Sequence, residues 1–104
     1  MTTFSTLQEA RSFFTNDHFA TDNGFTLEAL TDDGAVCAVN LSVRHQNAEG
    51  GVMGGAILAL ADFTFAAASN NVHRPTVAQQ VSFSFLNASK GSRLLSTATC
   101  IKSG

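Results

Sequence analysis

The chain has no tryptophan, no tyrosine and only two cysteines, and just 13% of its 104 residues are charged. Each shortage excludes something. A net charge of −2 offers no basic surface to a phosphate backbone, so a nucleic-acid partner is not expected. Cys37 and Cys100 lack the close spacing of a zinc or redox motif, so no metal is expected. The opening "MTTFSTLQEA" has neither a basic segment nor an apolar core, so it does not read as a secretory signal. Both cysteines are therefore expected to be reduced, buried and structural, in a cytoplasmic protein. The apolar run around residue 62 is too short and too interrupted to span a bilayer, so no membrane partner is expected.

What is present is mostly apolar: 44% of the chain is hydrophobic, including nine phenylalanines. A chain of this length makes one small domain over residues 1–104, able to bury little more than half to two-thirds of its surface alone. The excess apolar surface predicts self-association.

No linker, repeat or low-complexity stretch interrupts the chain. "STLQEARSFF" places Ser5 three residues before Gln8, a capping-box spacing that predicts a first helix. "DHFATDNGF" predicts a short helical turn ending at Gly24. "FTLEAL" and "AVCAVNLSV" flank "TDDG" and read as a hairpin. In its second strand Cys37, Val39, Leu41 and Val43 share one face, and Asn40, Ser42 and Arg44 the other. A glycine-rich loop, "RHQNAEGGVMGG", leads into a long apolar helix. "TVAQQVSFSFL" then alternates, with Val77, Val81, Phe83 and Phe85 on one face, and "NASKG" turns into a last strand, "SRLLSTATCIK". The expected fold is α+β, an antiparallel sheet wrapped around one central helix.

That helix, "GGAILALADFTFAAASNN", contains a single ionisable residue, Asp62. Being apolar on nearly every side, it is expected to be enclosed by protein. A buried carboxylate is costly without a partner. Helical spacing sets Gly55, Leu58, Ala59, Phe65, Ala66 and Ser69 beside Asp62, and four of these six are small. A backbone or ligand can approach closely there. The helix opens on glycines, where unpaired N–H groups and the positive dipole end await an acceptor. Plainer roles stay open: Asp62 pairing with a buried Arg or capping another segment, Asn47 tying its loop to the helix start, and Gly54 and Gly55 serving close packing. His45 and His73 fall in loops and read as solvent-exposed rather than catalytic.

"HQNAEGGVMGGAILALADFTFAAASNN" followed by "TVAQQVSFSFLNASKG" resembles the hotdog-fold acyl-CoA thioesterases, in particular their phenylacetate-pathway (PaaI-like) branch. The matching positions are Asn47, Gly50 or Gly51, Gly54, Gly55 and Asp62, with "FLNASKG" at the turn after the next strand. The resemblance runs from about Asp17 onward. It implies a sheet curled around the helix, pairing into a homodimer or a dimer of dimers, and hydrolysis of an acyl-CoA thioester. Coenzyme A would be part of the substrate, with no separate cofactor. Asp62 would be the general base or the nucleophile, the Gly54 N–H would polarise the thioester carbonyl, and Asn47 would position substrate or water. Gly55, Met53, Gln79 and Gln80 would contact the substrate.

Three features depart from the family pattern. Met53 stands where the family carries His, and Ala78 falls where some relatives carry Ser or Thr. Hotdog domains also continue for two strands beyond the equivalent of "CIKSG". A non-catalytic acyl-CoA sensor or binding module is the rival expectation. A hotdog hydratase fits less well, because no His follows Asp62 before His73. An apolar, Phe-rich lining suits aryl or medium aliphatic acyl groups.

Overall fold

A computed structural model describes residues 3–71, 76–88 and 91–102; in the last two segments only the backbone is described at 76–80, 85–88, 91, 101 and 102. The first helix, α1 (Leu7–Phe14), is capped one residue later than the sequence predicts. Thr6 Oγ1 accepts from Glu9 N at 3.0 Å, while the Glu9 carboxylate reaches back to Ser5 N at 3.2 Å. The exchange is the expected kind, but Thr6 and Glu9 serve where Ser5 and Gln8 were expected. A short α2 (His18–Asp22) follows, capped by Asp17. It is turned off by Gly24 at φ +76°, a left-handed conformation that glycine adopts without strain.

The hairpin forms as predicted, β1 (Thr26–Leu30) against β2 (Gly34–Asn40). Gly34 is required at its turn, because a Cβ there would lie 2.4 Å from the Ala98 carbonyl oxygen. β2 ends at Asn40, earlier than the alternation suggests. A 3-10 turn, Val43–His45, takes over and leaves Val43 80% exposed instead of on the strand's inner face. Beyond the glycine-rich loop come α3 (Gly54–Asn71), β3 (Thr76–Ala88) and β4 (Gly91–Lys102). All pairings are antiparallel, in the order β1-β2-β4-β3.

α3 lies along one face of this sheet. Leu60, Phe63, Thr64, Ala67, Ala68 and Asn71 are its buried residues, recurring every three or four positions as a packed stripe requires. They meet Leu27, Cys37, Val39, Leu94, Ala98 and Cys100 from the strands, and Phe4, Phe14 and Phe25 from the N-terminal segment. Both cysteines are free and buried, and burial pushes the Cys37 thiol up to about 12 despite its hydrogen bond with Thr64. The C-terminal end of α3 is tied down through Asn71. Its side chain accepts from Phe4 N at 3.2 Å and donates to the Thr31 carbonyl at 3.2 Å.

The opposite face of α3 corrects the expectation of a fully enclosed helix. Gly55, Leu58, Asp62, Phe65 and Ser69 follow one another along that face, and all are exposed. Leu58 is 71% and Phe65 46% accessible. A single sheet covers one side of a helix only, so the other side of this all-round apolar helix is left exposed within the chain. Asp62 is not buried within the chain, and it pairs with no cation among the described residues.

Candidate active site

The loop ahead of α3 is organised by Asn47. Its Oδ1 accepts from Glu49 N and Gly51 N, each at 3.0 Å, while its backbone N–H donates to the Gly51 carbonyl at 2.7 Å. Gly50, at φ +85°, makes the reversal that closes this loop. The Asn47 oxygen thus closes the loop on itself, and none of these bonds reaches the helix start. The residue is exposed, and its amide nitrogen has no hydrogen-bond partner among the described residues.

A histidine that the sequence suggests is exposed sets the start of α3. His45 is 3% accessible. Ser42 N donates to its Nδ1 at 3.0 Å, and its Nε2 lies 2.8 Å from the Asn23 carbonyl. An acceptor at Nδ1 and a donor at Nε2 require the neutral Nε2–H tautomer. The His45 carbonyl in turn accepts from Met53 N at 2.8 Å, fixing the residue that precedes the helix. Loop position alone concealed this burial. His73 lies outside the described residues.

At the helix start the Met53 carbonyl accepts from Ala56 N at 2.9 Å and from Ile57 N at 3.4 Å. The N–H groups of Gly54 and Gly55 have no acceptor among the described residues, as the first turn of any helix leaves them. Met53 has no side-chain oxygen to cap them. A Cβ at Gly54 would meet nothing within 4 Å, and one at Gly55 only Met53 Cγ at 3.9 Å. Neither has a positive φ. Packing within the chain and backbone strain therefore give no reason for glycine at either position.

A pocket of about 300 Å³ opens beside this turn, lined in part by Phe19, Phe25, Arg44, His45, Met53 and Gly55. The Arg44 guanidinium, exposed at its edge, donates to the Asp22 carbonyl at the end of α2. Asp62 stands on the same helix, eight residues beyond Gly54, about 12 Å along the axis. Met53, Gly54 and Gly55 thus stand together at the helix start, Asn47 holds the loop that precedes them, and Asp62 is separate within one chain. Gln79 and Gln80 pair with Cys100 and Thr99 through β3, but their side chains, like that of Ala78, lie outside the described residues. No group of three His, Cys, Asp or Glu among the described residues is arranged to hold a metal. No described helix is long and apolar enough to cross a membrane.

An antiparallel sheet laid along one long helix, with the helix opening on an uncovered glycine turn, is the hotdog architecture. Solved structures share it. The PaaI protein from the phenylacetic acid degradation operon of E. coli is 17% identical, with a TM-score of 0.56 over 90% of this chain and 91% of that one. A thioesterase family protein from Silicibacter pomeroyi is 10% identical, with a TM-score of 0.58 over 92% and 98%. Thioesterase superfamily member 2 from Mus musculus is 14% identical, with a TM-score of 0.57 over 94% and 99%. No family model matches the sequence, and neither does any curated protein. At these identities the shared property is the fold.

Proposed function

We propose that the chain is an acyl-CoA thioester hydrolase whose active site is completed between two copies. The observation that carries this reading is the Gly54–Gly55 turn: two N–H groups without an acceptor among the described residues, on exposed glycines that neither packing nor φ requires. Such donors suit the oxyanion of a thioester under attack. The hotdog neighbours named as thioesterases support the same chemistry.

The Gly54 N–H takes the carbonyl oxygen, and Asp62 removes a proton from the attacking water. The tetrahedral intermediate then collapses, expelling the coenzyme A thiolate, which takes up a proton. With Asp62 as nucleophile instead, its carboxylate displaces the coenzyme A thiolate to form an acyl-aspartyl anhydride, and water cleaves that to the free acid and the regenerated carboxylate. Asn47 Nδ2 orients the substrate or the water, with Gly55, Met53, Gln79 and Gln80 contacting the substrate. The reacting carbon must lie roughly 3 Å from both donor and base or its water, whereas Gly54 and Asp62 of one helix are about 12 Å apart. The site therefore joins Gly54 of one copy to the partner's Asp62. The exposed line of Gly55, Leu58, Asp62, Phe65 and Ser69 is the face that receives the partner, and that contact removes water from Asp62.

Thiol release from a panel of acyl-CoAs tests the activity, and no turnover of any thioester refutes it. Mixing two inactive variants tests the shared site. Asp62→Asn removes the base and should lower activity about a hundredfold or more. Gly54→Pro removes the N–H at a position where proline is tolerated. Random re-pairing makes half the dimers hybrids, each with one intact site, so about a quarter of wild-type activity should return. Folded hybrids that stay inactive refute the shared site. Met53, with no polar group where the family pattern has His, favours the second reading of a protein that binds acyl-CoA without cleaving it. Tight binding without thiol release supports that alternative.

A further inference from the structure

Two cavities flank α2, and they share one aromatic wall residue. The first is the pocket of about 300 Å³ at the start of α3. The second is a cleft of about 460 Å³ between α1, α2 and β1, whose walls include Phe14, Leu27 and Phe63. Phe25 borders both. On the pocket side its ring packs edge-on against Phe19, with centroids 6.4 Å apart; on the cleft side it meets Phe63 at 6.2 Å. Phe25 is only 7% accessible, and its N–H is held by the Ala20 carbonyl at 2.9 Å just after the left-handed Gly24. This shared wall is anchored by its backbone and packs against one ring from each lining.

The chemistry of the smaller pocket selects an apolar occupant. Phe19, Phe25 and Met53 supply carbon and polarisable sulfur. His45 also borders it, yet both its ring nitrogens are already engaged within the protein. The Arg44 guanidinium is turned to the end of α2. We infer that this pocket holds the acyl group of the substrate and that Phe25 sets the upper limit on its length. The inference rests on the proposed placing of the thioester carbonyl at the Gly54–Gly55 turn, because Gly55 borders the pocket. A cavity of about 150 Å³ holds benzene, so twice that volume takes an aryl or short aliphatic acyl group. A long chain exceeds that volume, and passing Phe25 gives it the cleft of about 460 Å³ as further apolar room. Met53, where the family pattern has a polar residue, then becomes a wall of the acyl site.

Wild type, Phe25→Ala and the milder Phe25→Leu should be compared on hexanoyl-CoA, phenylacetyl-CoA and palmitoyl-CoA. Phe13→Ala serves as control, since that ring is half exposed and borders neither cavity. Wild type is expected to prefer the two compact thioesters. Opening the shared wall should raise the palmitoyl to hexanoyl ratio of kcat/KM by about tenfold or more, the scale set by a few methylenes in an apolar pocket. Phe25→Leu should shift it in the same direction, and it carries the test if the alanine variant does not fold. The control should keep the wild-type ratio. An unchanged ratio in a folded Phe25 variant, or a wild type that prefers palmitoyl-CoA, overturns the inference. If wild type cleaves none of the three, the hydrolase reading fails. The role of the shared wall is then judged by calorimetric Kd for the same thioesters: a shift toward palmitoyl-CoA in the variants upholds it, and unchanged relative affinities overturn it.

Discussion

Replacing His45 with alanine removes a ring that ties the end of α2 to the 3-10 turn. Ser42 N–H loses its acceptor at 3.0 Å and the Asn23 carbonyl its donor at 2.8 Å, both around a side chain only 3% accessible. An orphaned buried group costs about 1–3 kcal/mol, and some solvent entry into the vacated space lowers the total, so His45→Ala should destabilise the fold by roughly 2–4 kcal/mol. For a domain of this size each kcal/mol moves Tm by about 4–8 °C, which gives a fall of about 8–32 °C. Scanning calorimetry measures it, with His18→Ala as the exposed-histidine control, expected within about 0.5 kcal/mol of wild type. Because the His45 carbonyl also holds Met53 N, amide exchange at Met53 should accelerate along with that at Ser42. A His45→Ala protein melting within about 2 °C of wild type, with Met53 exchange unchanged, would refute the argument that this ring fixes the start of α3.

Met53→His restores a donor beside the Gly54–Gly55 turn. It should raise kcat for thioester cleavage, and a steady-state assay showing no gain indicates a site rebuilt around methionine. Replacing both Leu58 and Phe65 with glutamate charges the outward face of α3. Since burying each side chain is worth about 1.5–3 kcal/mol, the dimer Kd should rise at least about a hundredfold by sedimentation, and unchanged association would move the interface elsewhere. The Cys37 thiol, raised from 9.0 to about 12 by burial, predicts a loss of stability at high pH. Below about pH 9 folded and unfolded thiols are both protonated; above it only the unfolded chain releases the proton. Stability should therefore fall as pH rises from 9 toward 12, by at most about 1.4 kcal/mol per pH unit. Urea unfolding of wild type and Cys37→Ala from pH 8 to 10.5 should show a shallower pH slope in the variant, and equal slopes would refute the assignment.

Local signals in the sequence determined the order of the elements. Gly24 and "TDDG" mark turns that hydrogen bonds among near neighbours can form, and the apolar run from Gly54 to Asn71 admits little but a helix. The candidate site residues were also legible, because glycines at a helix start and one carboxylate in an apolar helix stand out without coordinates. What the tertiary structure decided was exposure. Asp62 reads as buried in a helix apolar on all sides, yet one sheet can cover only one side, so Asp62, Leu58 and Phe65 face outward. His45 reads as a loop residue, yet the chain folds α2 and the 3-10 turn around it. Phe25 reads as one core phenylalanine among nine, and only packing sets it in the walls of two cavities. Sequence pattern fixes what a residue can do with its neighbours along the chain. Whether it meets water, a cavity or a second copy depends on contacts between residues far apart in sequence, which no local pattern encodes.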